Sequence, residues 1–254
     1  MCTCGPTRRS LLRLAGVGTV SVVVTGCDQI AGINLVSDET VEAMGLRAWE
    51  ELRGTLPVSR NPAAQQTADR VAARLLAAAG ENRGDWEVVV FANPAVNAFA
   101  LPGRKIGIFE GMFRIAQNDD QLAAIIGHEI GHLQAEHGRE RMNAQVAKGW
   151  GLQIVALLLN LSGVGYGPEI AAALGLGVEY GLVLPYSRRH EFEADRLGLQ
   201  LTAQAGFRPE EAITLWQRMD AAAGPRLPQF LATHPAPEAR IKAIREILAG
   251  QTTG

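Results

Sequence analysis

Hydrophobic positions recur at helical spacing over most of this chain and switch to strand-like runs in one region. Ser37 can cap a helix running to about Arg53 and closed by Gly54. Asn61-Pro62 opens a second, alanine-rich helix that Gly80 ends. Between residues 86 and 109 the pattern changes. Trp86-Glu87-Val88-Val89-Val90-Phe91 is strand-like, and two further strands, 97–101 and 105–109, flank a turn at Pro102-Gly103. Asn118 with Gln121 forms a capping box for a long helix from about Asp120 to Val146. Pro209 opens another helix that stops near Gly224-Pro225, and Pro237 opens the last, to about Leu248. The expected fold is α+β and mainly helical, with a small antiparallel sheet packed beside the long helix.

Residues 150–184 are almost uncharged, but Gly163-Val164-Gly165-Tyr166-Gly167-Pro168 divides them into pieces shorter than a spanning helix. Gln153, Asn160, Glu169 and Glu179 interrupt them further. Two core or lid-like helices are the stronger reading, over a hairpin dipping into lipid.

The chain has 254 residues, a length that suits one domain with an appendage. At 47% hydrophobic and 20% charged residues it is not globally disordered. The net charge of −2 and the lack of any Lys/Arg run argue against a nucleic-acid partner. Charge is uneven, however: the first 26 residues carry three arginines and no acid.

That start reads as an address. Arg8-Arg9 followed by Leu11-Leu12 looks like a twin-arginine export signal, and the apolar run from Leu14 to Val24 has the size of a signal-peptide core. Val24-Thr25-Gly26-Cys27 resembles the bacterial lipobox. Residues 1–26 are therefore expected to be a signal peptide, 27–36 a lipidated tether and 37–254 the folded domain. A lipid on Cys27 would hold the protein at the inner or outer membrane, on the periplasmic side of a bacterial envelope, without spanning it. An uncleaved anchor with an incidental Cys is the bland alternative. With Cys2 and Cys4 removed, a lone thiol can form neither an intrachain disulfide nor a Cys-based metal cluster.

The histidines carry the chemistry. Within the long helix, Gly127-His128-Glu129-Ile130-Gly131-His132 places two imidazoles four residues apart, about 40° apart in rotation and one turn apart in height. That separation suits two nitrogen ligands of a tetrahedral zinc, with Glu129 beside them to act on a water. A polar helix face is the bland reading. A third ligand must come from elsewhere. His137 is nine positions from His128, about 900° of helix and so the opposite side. It is a supporting partner or an ordinary, partly exposed histidine. Glu191 and Asp195 share a helix face, so Glu191 can reach the metal while Asp195 orients a ligand imidazole. Glu193 as ligand would leave Leu197 where the supporting carboxylate is needed. Taken alone, such a Glu/Asp pair is usually a solvated helix face. His190 lies on another face and reads as structural.

The combination of HEIGH with Ser187-Arg188 and Glu191-Phe192-Glu193-Ala194-Asp195 resembles the gluzincin metallopeptidase family of HtpX, the CAAX prenyl endopeptidases, BepA and LoiP. Asn97-Ala98-Phe99-Ala100-Leu101-Pro102-Gly103 is similar to the segment this family carries ahead of its metal helix. Thr233-His234-Pro235-Ala236-Pro237-Glu238-Ala239-Arg240 is similar to its late H-P-x-x-x-x-R motif. Size and lipobox look most like the lipoprotein LoiP. The resemblance implies a zincin-like fold, one Zn²⁺ per chain held by His128, His132 and Glu191, and Glu129 as catalytic base.

From this follows the expectation of a lipid-anchored zinc endopeptidase that hydrolyses unfolded or misassembled envelope polypeptides. Its catalytic groups would be Glu129 and His234, the latter as transition-state donor or, as the resemblance suggests, a latency switch at the open metal position. A helix-entry role is the bland reading of His234. Arg240 and Tyr186 are further donor candidates. Asn97, Ala98, Phe99 and Ala100 would form an edge strand that binds extended substrate. The rival class is an envelope chaperone or assembly factor with a silent zinc site.

Overall fold

The computed structural model describes residues 36–144, 187–222, 229–235 and 237–251. All fall within the compact unit Ile33–Gly254. The export signal, the lipobox at Cys27, the apolar stretch 150–184 and Tyr186 lie outside the described residues.

The chain begins with α1 (Asp38–Thr55) and α2 (Pro62–Ala78). Ser37 caps α1 by accepting from the Thr40 N–H. Asn61 caps α2 by accepting from the Ala63 and Ala64 N–H groups, with Pro62 at the first helical position. Three strands follow: β1 (Glu87–Phe91), β2 (Ala98–Leu101) and β3 (Lys105–Phe109). Then come α3 (Asp119–Gln134), α4 (Arg188–Gln204), α5 (Glu211–Ala221), the short α6 (Gln229–Thr233) and α7 (Pro237–Gln251).

The sheet departs from the expected antiparallel arrangement. Its order is β1-β3-β2, with β1 parallel to β3 and β2 antiparallel to it. The reason lies in burial. Ile106 and Ile108 face the main core and Phe109 the smaller one, so β3 is apolar on both sides and takes the centre. In β2, Phe99 and Ala100 are only half-buried, which suits an edge. The other edge is closed. The Gln65 side chain bonds Val88 O and Val90 N, and the Ala92 N–H donates to Pro57 O.

Strand alternation splits the core in two. Val88, Val90, Ile106 and Ile108 join a large cluster with residues of α2, α3, α5 and α7. Val89, Phe91, Leu101 and Phe109 turn the other way, onto Trp49 of α1. Trp49 is fully buried and donates its indole N–H to Glu87.

The helix α3 runs through the main core, buried from Gln121 to His132. Asn118 caps it by accepting from the Gln121 N–H. It ends sooner than periodicity predicts. Ala135 closes it, Glu136 adopts a φ of 53°, and helix resumes at 137–144. A left-handed residue stops the hydrogen-bond ladder. Neither glycine nor proline marks this break, so the apolar pattern reads straight through it.

α4 packs against α3 at glycines. A Cβ on Gly131 would meet Ala194 O at 2.8 Å, and one on Gly198 would meet His128 N at 2.8 Å. The absence of side chains at these points lets the two backbones approach closely. That approach brings the acidic face of α4 up to the histidines of α3.

Candidate metal centre

Four side chains from three elements converge: His128 and His132 of α3, Glu191 of α4, and His234 just after α6. One ligand atom from each lies within 4.8 Å of the others, and all four residues are buried. His128 Nε2 stands 3.0 Å from His132 Nε2 and 3.3 Å from His234 Nδ1. Glu191 Oε1 lies 3.2 Å from His234 Nδ1 and 3.5 Å from His132 Nε2.

These separations fit a bound cation. Nitrogen ligands at tetrahedral zinc distances lie about 3.3 Å apart. The protonation states fit too. Burial, with the charges of Arg240 and His132, holds His128 well below the usual histidine range. Burial likewise lowers His132 to about 3, although the neighbouring Glu191 carboxylate resists it. Both rings are therefore neutral and carry a lone pair. Burial alone would raise Glu191, but the His132 and His234 imidazoles beside it and the charge of Arg240 outweigh it and keep the carboxyl ionised. Neutral imidazoles with an ionised carboxylate form the donor set a divalent metal requires.

Supporting groups stand behind the ligands. Asp195 Oδ1 is 3.1 Å from His128 Nδ1, so it can accept that N–H and direct Nε2 into the centre. Arg240, fully buried, donates through Nε to Asp195 at 2.7 Å and pairs through Nη1 with Glu191 at 2.7 Å. Its guanidinium lies 3.6 Å above the Trp216 ring. The sequence offers Arg240 as a candidate donor to the reacting group. The structure instead commits it to the two carboxylates, behind the ligands.

Glu129 sits on the cleft side. Its Oε2 accepts the Ala100 N–H at 3.1 Å, while the buried Oε1 has no hydrogen-bond partner among the described residues and lies 3.5 Å from His234 Nε2. Burial pushes this carboxyl up to about 7, against the nearby His234 and with the charge of Glu191. His234 is held in place by stacking on Phe230, with ring centroids 4.2 Å apart. The Phe230 N–H in turn donates to Val96 O, just ahead of β2.

A cavity of about 400 Å³ opens beside Glu129. Asn97, Ala98, Phe99 and Ala100 line it, as do Leu52 of α1, Met142 and His234. Two of its features escape the sequence pattern. The Ala100 N–H contact to Glu129 is a backbone bond, invisible in residue types. The position of α1 rests on Trp49, which signals burial but not against what.

The family model that matches this chain, over residues 58–248, is described as peptidase family M48. The mitochondrial metalloendopeptidase OMA1 of Schizosaccharomyces pombe is 40% identical over 181 residues, which cover 70% of this chain and 51% of that protein. The corresponding protein of Arabidopsis thaliana is 34% identical over 66% of this chain and 35% of its own length. The beta-barrel assembly-enhancing protease of Escherichia coli is 28% identical over 80% of this chain and 42% of its own. The chain thus spans about half the length, or less, of these curated relatives.

Proposed function

The chain belongs to peptidase family M48, and from that premise we propose that it is a zinc-dependent endopeptidase acting on unfolded or misassembled polypeptide. The observation that carries this reading is the position of Glu129. Among the described residues its buried Oε1 has no hydrogen bond, and it stands beside two neutral imidazoles and an ionised carboxylate, at the wall of an open cleft. A purely structural metal site has no use for such a base.

His128, His132 and Glu191 would hold the metal. Bound zinc supplies Lewis acidity, polarising the peptide carbonyl and acidifying water. Glu129 Oε1 takes the proton of the attacking water and returns it to the leaving amine, while Oε2 stays tethered to Ala100. Asp195 and Arg240 fix the ligand side chains. Substrate adds to β2 in extended form. The Ala100 N–H, which faces away from β3, is taken by Glu129, and strand alternation turns the backbone groups of Ala98 to that same side, where they can pair with substrate. Recognition through the backbone reads conformation above side-chain identity, which favours unfolded chains.

His234 has two possible parts, assisting the reaction or blocking it. Its Nδ1 stands among the ligand atoms, which favours the second: His234 fills the fourth position and keeps the enzyme latent. Attachment to a bacterial envelope membrane through a lipid on Cys27 belongs to the same proposal. It is supported by the twin-arginine-like and lipobox-like segments at Arg8-Arg9 and Val24-Thr25-Gly26-Cys27.

The test is metal analysis and casein digestion by wild type and Glu129→Gln. Glu129→Gln should keep one zinc per chain and lose about 100-fold or more of the hydrolysis. Equal hydrolysis by both proteins would refute the assignment, and an envelope function surviving in the variant would make binding the main activity.

A further inference from the structure

The break at Glu136 has a chemical consequence for the metal centre. On a continuous helix His137 would lie across from His128. Because the chain turns at residues 135–136, the His137 ring swings back under α3 instead. Its Nδ1 lies 2.9 Å from His132 Nδ1, and the residue is 1% exposed. On its other side, His137 Nε2 stands 3.5 Å from Glu193 Oε2 of α4. The ring stacks on His190, with centroids 4.3 Å apart and planes 20° apart. His190 is itself tied to Glu140 of the 137–144 helix at 2.9 Å. The His137 ring is therefore held between His132 of α3 and the His190 and Glu193 side chains of α4.

Two imidazole nitrogens at hydrogen-bond distance cannot both be donors or both acceptors in the neutral state. As a metal ligand His132 must present a lone pair on Nε2, the atom it turns toward His128 Nε2 and Glu191. Its proton then sits on Nδ1, and His137 Nδ1 must accept it. This leaves the His137 proton on Nε2, directed at Glu193. The tautomers of both rings follow from one choice, namely which nitrogen of His132 serves the metal.

The geometry points to His137 as a positioning residue for the zinc site: it accepts from His132 Nδ1 and, backed by Glu193, fixes the tautomer and orientation of that ligand. The inference rests on the reading of the four-residue cluster as a zinc centre. It gives the two α3 ligands different supports. His128 leans on a buried carboxylate that Arg240 shares. His132 leans on a neutral imidazole whose own partner, Glu193, is 40% exposed in its side chain. Partners of this kind typically contribute 10- to 100-fold in metal affinity.

The test uses the full chain, with zinc titrated against a competing chelator. His137→Phe keeps a ring for the stack but cannot accept, and should weaken zinc binding about 10- to 100-fold. His137→Gln offers a carbonyl oxygen to His132 Nδ1 and should recover most of that loss. Thermal unfolding of the metal-free proteins checks that both variants fold. Zinc affinity unchanged in His137→Phe overturns the inference, and so does an equal loss in both variants, which would mean packing alone. A measurement on the unaltered zinc-loaded protein is independent of folding. Long-range ¹H–¹⁵N spectra should show His137 as the Nε2–H tautomer, and an Nδ1–H ring would overturn the assignment. If no protein digests casein while this affinity order stands, the peptidase reading fails and the positioning role survives.

Discussion

The backbone N–H of Ala100 donates to Glu129 Oε2 at 3.1 Å, joining the edge of the sheet to the carboxylate beside the metal cluster. The bond leaves Glu129 one committed oxygen and one free. Ala100→Pro removes the donor at a position where no ladder bond is lost, as an edge strand permits. A hydrogen bond to an ionised group contributes about 1.5–3 kcal/mol. The variant should lose about 10- to 100-fold in kcat/KM on an unfolded substrate while binding zinc as before. Undiminished turnover would show that the tether does not orient the base.

His234 stands with its Nδ1 among the ligand atoms and its Nε2 3.5 Å from Glu129. If it blocks the fourth position, His234→Ala should raise casein hydrolysis severalfold and leave Glu129 in place. A fall in turnover would make it an assisting donor instead.

Arg240 is fully buried between Glu191 and Asp195. Removing one partner of a buried ionic group strands the others, at a cost of about 3–5 kcal/mol. Arg240→Met should destabilise the metal-free protein by that amount in urea. Arg240→Lys should recover little, because an ammonium cannot reproduce the forked contact to both carboxylates.

Glu87 ties α1 to the sheet by accepting from Trp49 at 2.9 Å and Lys105 at 3.0 Å, with Arg53 beside it. Burial would raise this carboxyl, but the Lys105 and Trp49 hydrogen bonds, with the charges around them, hold it below its ordinary value. A depressed folded-state pKa contributes stability above the unfolded value and loses it as pH falls through the folded one. The stability difference between wild type and Glu87→Gln should therefore be present at pH 7 and shrink toward pH 3. On a partly exposed group it should amount to about 1 kcal/mol or less. A difference independent of pH would assign the effect to packing.

What the sequence determined by itself is local. Ser37, Asn61 and Asn118 mark helix starts because a cap needs only a side-chain oxygen near its own backbone. His128 and His132 share a face because helical rotation is the same in any context, and that places two ligands before any fold is known. The 97–101 segment reads as a strand for a similar reason, a short apolar run beside a Pro-Gly turn, but nothing local places it at the sheet edge. The other relationships are long-range. Only the tertiary structure decided that β3 lies between β1 and β2, since strand order depends on which faces find apolar partners. Only it turned the chain at Glu136 and brought His137 under His132, because a left-handed residue without glycine leaves no mark in the hydrophobic period. It also decided that Arg240 serves Glu191 and Asp195 and not the cleft. Which charge a buried guanidinium meets depends on how closely α3 and α4 approach, and the bare backbones at Gly131 and Gly198 set that distance.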